Sequence, residues 1–136
     1  MIPTNGPSAP PRVLLVDDND NMLALARTTL APACIVVGTA KDGPSALQAA
    51  HDLRPDVIVL DISLQNMTGF EVAARLRNSG SKAALVFLSL YAEDDFVVNA
   101  RAVGAIGYVV KTRMVSDLLH AVTEAHLGHE FISPFN

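Results

Sequence analysis

The chain of 136 residues contains one cysteine and no tryptophan. A single cysteine excludes an internal disulfide and the usual zinc frameworks. Cys34 lies in the apolar stretch Cys-Ile-Val-Val and is expected to be a small buried hydrophobe. No apolar run approaches the roughly 18 residues that span a bilayer, so no membrane role is expected. The opening MIPTNGPSAPP lacks both the basic start and the apolar block of a signal peptide, which makes the cytoplasm the expected location. Basic residues are few, ten against fourteen acidic ones, for a formal net charge of −4. They form no run along the sequence, which argues against this chain gripping nucleic acid by itself.

What is present is a core. Half of the residues are hydrophobic, and the length suits one domain rather than two. Residues 1–11, rich in Pro, Gly and Ser, read as a flexible tail. From residue 12 to 128, short aliphatic runs alternate with amphipathic stretches. Strands are expected at Val13–Val16, Ala33–Gly38, Val57–Leu60, Ala84–Leu88 and Ile106–Val110. Helices are expected at Asn21–Leu30, from Pro44 to Leu53, around Phe70–Arg77, at Asp94–Val103 and from about Met114 to Leu127. Residues 129–136 form a C-terminal segment that fits the start of a linker to an output domain absent from this chain. Five strand–helix units in succession, with strands apolar on both faces, predict a doubly wound α/β fold with a parallel five-stranded sheet.

In such sheets ligands bind beyond the carboxyl ends of the strands, where the strand order reverses. The first strand is followed by Asp17-Asp18-Asn19-Asp20, the third ends in Asp61, the fourth in Ser89 and the fifth in Lys111. Each has an ordinary explanation. Asn19 or Asp20 can cap the next helix, and a lone Ser89 or Lys111 can be solvated. Their joint placement on four strand ends is the signal. With order 2-1-3-4-5, Asp17, Asp18 and Asp61 converge, and Ser89 and Lys111 enter from the other side. Three close carboxylates repel unless a cation intervenes, and an all-oxygen set suits Mg²⁺. An ionised Asp61 is then a carboxylate nucleophile, with Lys111 and Ser89 beside it to hold a phosphoryl group.

Val-Asp-Asp at 16–18, Leu-Asp-Ile-Ser-Leu at 60–64, Leu-Ser-Leu-Tyr at 88–91 and Gly-Tyr-Val-Val-Lys at 107–111 resemble the response-regulator receiver domains of two-component signalling. The likeness covers about residues 12–128, and the ordered set is far more specific than any one motif. It implies a CheY-like, flavodoxin-like (βα)5 fold. It also implies that Asp61 is the phosphoacceptor and that Mg²⁺ is held by Asp18, Asp61 and the backbone carbonyl of Ser63, with Asp17 acting through water. Ser89 matches the switch hydroxyl, Tyr108 the switch aromatic and Lys111 the phosphoryl-binding lysine. Ser63 and Tyr91 would flank the path of hydrolytic water and set the phosphoryl lifetime.

Residues 67–77 and 88–95 resemble the subfamily with a C-terminal helix-turn-helix, of NarL, FixJ and LuxR type. The resemblance implies a sensor histidine kinase as phosphodonor and a phosphorylation-dependent change of the face formed by helix four, strand five and helix five. It further implies homodimerisation on phosphorylation, and DNA contact only through an output domain. Such a domain promotes its own phosphorylation and dephosphorylation and is not a turnover enzyme. Two positions depart from the common pattern: Gln65 and Thr112 stand where many receivers carry proline. Other readings are a receiver-like interaction module acting without phosphate, an FMN binder and a carboxylate-nucleophile phosphatase. The acidic Asp17–Asp20 run has the wrong sign for an FMN phosphate loop, and Ser63 stands where such phosphatases place an acidic residue. Of adjacent Leu118 and Leu119, one is a candidate dimer contact, although a singly exposed leucine is the commoner case. His51, His120, His126 and His129 lack metal-ligand spacing and are expected on the surface.

Overall fold

Runs of branched aliphatics with no polar break can form strands only where both faces are covered, and the computed structural model has this arrangement. It describes residues 9–64, 67–90 and 94–134, with Asp94 and Asp95 as backbone only. The order is β1 (Arg12–Val16), α1 (Asp20–Leu30), β2 (Ile35–Ala40), α2 (Gly43–Leu53), β3 (Val57–Asp61) and α3 (Gly69–Asn78). It continues with β4 (Ala84–Ser89), α4 (Asp94–Ala102), β5 (Gly107–Val110), a single 3-10 turn (Lys111–Arg113), α5 (Met114–His126) and β6 (Phe131–Ile132). All pairings are parallel and the sheet order is β2-β1-β3-β4-β5-β6. The expected order 2-1-3-4-5 is present, extended by a sixth strand.

The core divides into two layers. Alternate residues of the central strands, among them Leu14, Ile58, Leu60, Leu85 and Phe87, pack with Ala46, Val72 and Leu76 of α2 and α3. The residues between them, Val13, Leu15, Val57, Val59, Val86 and Val109, pack with Leu23 and Leu30 of α1 and Leu118 and Val122 of α5. Leu118 is fully buried, and Leu119 is half-buried against the same layer. Leu118 is thereby excluded as a dimer contact, while Leu119 keeps part of its surface. Cys34 is buried and its thiol, desolvated there, is pushed up to about 11.

Helix starts follow local chemistry. Asn19 Oδ1 accepts from Met22 N, Asp42 Oδ1 from Ser45 N and Thr68 Oγ1 from Glu71 N, each satisfying an orphan donor of the first turn. Strand β2 begins two residues later than the sequence suggests. The amides of Ala33 and Cys34 still bond to Leu30 O, so the end of α1 claims residues that are apolar enough for a strand.

The sixth strand is two residues long, with Gly107 opposite Phe131 and Tyr108 opposite Ile132. It is fixed from both sides. Arg101 of α4 makes a bidentate pair with Glu130 at 2.9 Å on each arm. Ser133 N donates to Tyr108 O at 2.8 Å, and Ser133 Oγ donates to the buried Asp117 of α5 at 2.8 Å. Arg113 Nε donates to the same carboxylate at 2.8 Å. The C-terminal segment is therefore ordered against β5 and α5 through Ser133.

Candidate functional site

Four of the strands, β1, β3, β4 and β5, deliver polar residues to the same rim. Asp17 follows β1 and is 2% exposed; its amide donates to Ala40 O, which ties the turn to β2. Its Oδ1 accepts from Asn19 N at 2.9 Å. Asp61 ends β3 at 3% exposure, and its Oδ1 accepts from Ser63 N at 3.0 Å. Asp18 is half-buried beside them. One carboxylate oxygen from each of Asp17, Asp18 and Asp61 lies within 4.8 Å of the others. Among the described residues no second trio of His, Cys, Asp or Glu meets this spacing. The aspartates named from the sequence therefore share one site.

Lys111, at the end of β5, reaches across β4 and β3. Its Nζ lies 3.0 Å from Asp17 Oδ2 and 3.3 Å from Asp61 Oδ2. Lys111 is the one charged group that meets the buried Asp17 Oδ2 among the described residues. Burial pushes the Asp61 carboxyl up; the Ser63 amide opposes this, Asp17 adds to it and Lys111 counters it, leaving the group above the usual carboxylate range. Burial alone would lower the Lys111 ammonium. Its hydrogen bond and charge interactions with Asp17 and Asp61 outweigh this and raise it. Two buried acids and one half-buried base leave a local excess of negative charge.

Ser89 ends β4 and is 3% exposed, in register with Val110 next to Lys111. Tyr108 is 2% exposed, its ring within the α2–α3–α4 layer, so it is an inward-packed aromatic. Ser63 is exposed just past Asp61. Tyr91 and Gln65 lie outside the described residues. Among the described residues no peptide bond is cis, so Lys111–Thr112 is trans. His51, His120 and His129 are exposed as expected, but His126 is half-buried with its Nε2 out of reach of any partner.

One positioning residue escaped the sequence reading. Gly69 N donates to Ile62 O at 2.8 Å, and a Cβ there would lie 2.5 Å from Asp61 O and 2.8 Å from Ile62 Cα. Helix α3 can start directly against the end of β3 only because this residue has no side chain. The signal was the Thr68-Gly69 pair, a cap followed by a residue poor for helices.

The residues fit a hard cation: three carboxylates supply only oxygen, and one ammonium does not balance their charge.

Comparison with known proteins agrees with this geometry. Residues 13–123 match the response regulator receiver domain family. The nitrate/nitrite response regulator protein NarL of Escherichia coli is 32% identical over 126 residues, which cover 91% of this chain and 58% of that protein. The response regulator GacA of Pseudomonas viridiflava is 31% identical over 125 residues, 90% of this chain and 58% of its own length. The chain thus spans 58% of these curated relatives. Among solved structures, the signal receiver domain of NarL from Mycobacterium tuberculosis superposes with a TM-score of 0.83 at 29% identity, over 88% of this chain and 98% of that one. The chemotaxis protein CheY4 of Vibrio cholerae gives 0.79 at 32% identity, over 86% and 99%.

Proposed function

The chain belongs to the response regulator receiver domain family, and on that premise we propose that Asp61 is its phosphoacceptor. Receiver domains are signalling modules that bind Mg²⁺ at an acidic pocket, and this chain has such a pocket. The carrying observation is the convergence of Asp17, Asp18 and Asp61 oxygens within 4.8 Å, with Lys111 Nζ 3.3 Å from Asp61 Oδ2.

Asp18 and Asp61, with the Ser63 carbonyl, would hold Mg²⁺ directly, and Asp17 would hold it through water. When bound, the ion supplies positive charge where the phosphoryl oxygens gather. An Asp61 carboxylate oxygen attacks the phosphorus of a phosphohistidine on a sensor kinase. The new P–O bond forms as the P–N bond breaks, and the electron pair leaves with the imidazole nitrogen, which takes a proton from solvent. Lys111 donates to one phosphoryl oxygen and the Ser89 hydroxyl to another. Positioning and charge neutralisation are most of what this transfer requires. Hydrolysis reverses the modification when water attacks the same phosphorus and the P–O bond to Asp61 breaks. Ser63, exposed beside the acceptor, flanks that approach.

The output is carried by β5. Lys111 and Tyr108 are three residues apart, so a shift of the lysine toward a phosphoryl group is felt by the strand that packs Tyr108 and pairs with β6. Two packings of the α4–β5–α5 face give the switch. Homodimerisation and control of a DNA-binding output domain are the partner events this face would govern.

Intact mass after incubation with acetyl phosphate and Mg²⁺ tests the reading. The expected result is one added phosphoryl group on the native chain and none on Asp61→Asn. An unmodified native chain, or modification that survives Asp61→Asn, overturns it.

A further inference from the structure

The opposite rim of the sheet, where β3 and β4 begin, holds a cleft of about 820 Å³, within the range of small-molecule sites. Four elements build it: the end of α2 with its loop into β3, the end of α3, the turn from α3 into β4, and the end of α5. Its apolar wall includes Ala50, Pro55, Leu76 and Ala83, all buried. Its charge is unlike that of the chain, which is −4 overall. Arg54, Arg75 and Lys82 line it, and Asp56 is its sole acidic lining residue. One oxygen of Asp56 is taken by the Arg12 amide at 2.9 Å.

These cations differ from the others in the molecule. Lys41, Arg101, Lys111 and Arg113 pair with acids, and Arg12 and Arg77 donate to backbone carbonyls. Among the described residues four basic side chains, Arg27, Arg54, Arg75 and Lys82, have no hydrogen bond or ion pair, and three of the four share this cleft. His126 lines the same space, and its Nε2 is a buried polar atom with no partner. A buried ring nitrogen without a partner is costly, and three cations lining one cleft beside a single acid leave it net positive. A ligand carrying negative charge on an apolar body satisfies all three features at once.

We propose that this cleft is a binding site for a small organic anion. One or two phosphate or carboxylate groups are held by Arg54, Arg75 and Lys82, an apolar body rests against Pro55 and Leu76, and a polar atom meets His126 Nε2. None of these residues belongs to the acidic site, and β3 runs between the two, from Val57 beside the cleft to Asp61 at the far rim. The proposal stands independently of phosphoryl transfer.

Titration of isotope-labelled chain followed by NMR tests it, with octyl phosphate below its micelle concentration as one probe and inorganic phosphate as the other. Octyl phosphate is expected to give saturable shifts confined to residues 47–56, 75–83 and the His126 ring. Inorganic phosphate should bind more weakly at the same place. The double variant Arg75→Gln, Lys82→Gln alters two exposed side chains that make no hydrogen bond or ion pair among the described residues, and should weaken octyl phosphate by at least about tenfold. His126→Phe should weaken it severalfold while the other shifts keep their pattern. Absence of saturable shifts at the cleft, shifts centred on the acidic rim, equal affinity for the two phosphates or unchanged affinity in the double variant would each overturn the assignment. Retained binding of an acidic peptide with no response to octyl phosphate would do so as well.

Discussion

At the carboxyl rim of the sheet, the half-buried Lys111 ammonium lies within 3.3 Å of both buried acids, Asp17 and Asp61, whereas at the amino rim Arg54, Arg75 and Lys82 stand in water and pair with no acid among the described residues. The same sheet underlies both rims, so the contrast comes from the residues placed at the strand ends and in the adjoining turns and helix ends. Charges withdrawn from solvent must neutralise each other, and each becomes strongly dependent on its neighbours. Charges left in solvent are screened and nearly independent. One rim is therefore a coupled unit poised against a net negative charge, and the other is a set of separate cations.

If that contrast is right, removing the single base of the coupled rim should do the most damage. Lys111→Met leaves two buried carboxylates without a counter-charge and should cost about 3 kcal/mol, measured by urea unfolding at pH 7. The deficit should shrink as the pH falls and the carboxylates protonate. A loss no larger than that of a surface lysine would erase the distinction between the rims.

Asp61→Asn should have a smaller effect of opposite sign. Burial, reinforced by Asp17, raises the folded-state pKa of Asp61 above that of the unfolded chain. The folded protein then holds this proton more tightly, so its stability falls as pH rises through the interval between the two values. The asparagine variant avoids that loss. Its melting temperature should exceed the native one at pH 7, and the difference should vanish below the ordinary carboxylate pKa. Added Mg²⁺ should narrow the gap at pH 7, because binding selectively stabilises the native chain. Equal melting curves at neutral pH would mean that the acceptor is not under electrostatic stress.

The smallest change is expected at the amino rim. Arg75→Gln and Lys82→Gln, singly or together, should alter unfolding free energy by less than about 0.5 kcal/mol in the absence of ligand. A larger loss would show these cations to be structural, and would remove the comparison from the other side.

The sequence carried the central sheet and the acidic site for one reason: both are written in short local patterns. Val13–Val16 and Val57–Leu60 are uninterrupted aliphatic runs, and the residue after each is where a parallel sheet opens to solvent. What escaped depends on distant partners. Phe131 and Ile132 make a strand only because Arg101, Asp117 and Tyr108 receive the residues around them. Asp117, between Ser116 and Leu118, reads as a helix-surface acid, yet Arg113 and Ser133 allow it to be buried. His126 has no sequence mark that distinguishes it from His120. The amino-rim cleft gathers residues 54, 75, 82 and 126, which are too far apart in the chain for any window to join them.

The two-residue β6 also decides which side of the sheet is open. A sheet edge displays unpaired amides and carbonyls that invite another chain to add. On the β5 side the last strand is too short to offer more than a step of such a ladder, and Pro134, two residues past its end, has no amide hydrogen to give. On the other side β2 presents six residues, with Ile35 half in water. Under conditions that crowd or partly loosen the protein, recruitment of further chains begins along β2, and charged substitutions at Ile35 are the place to suppress it.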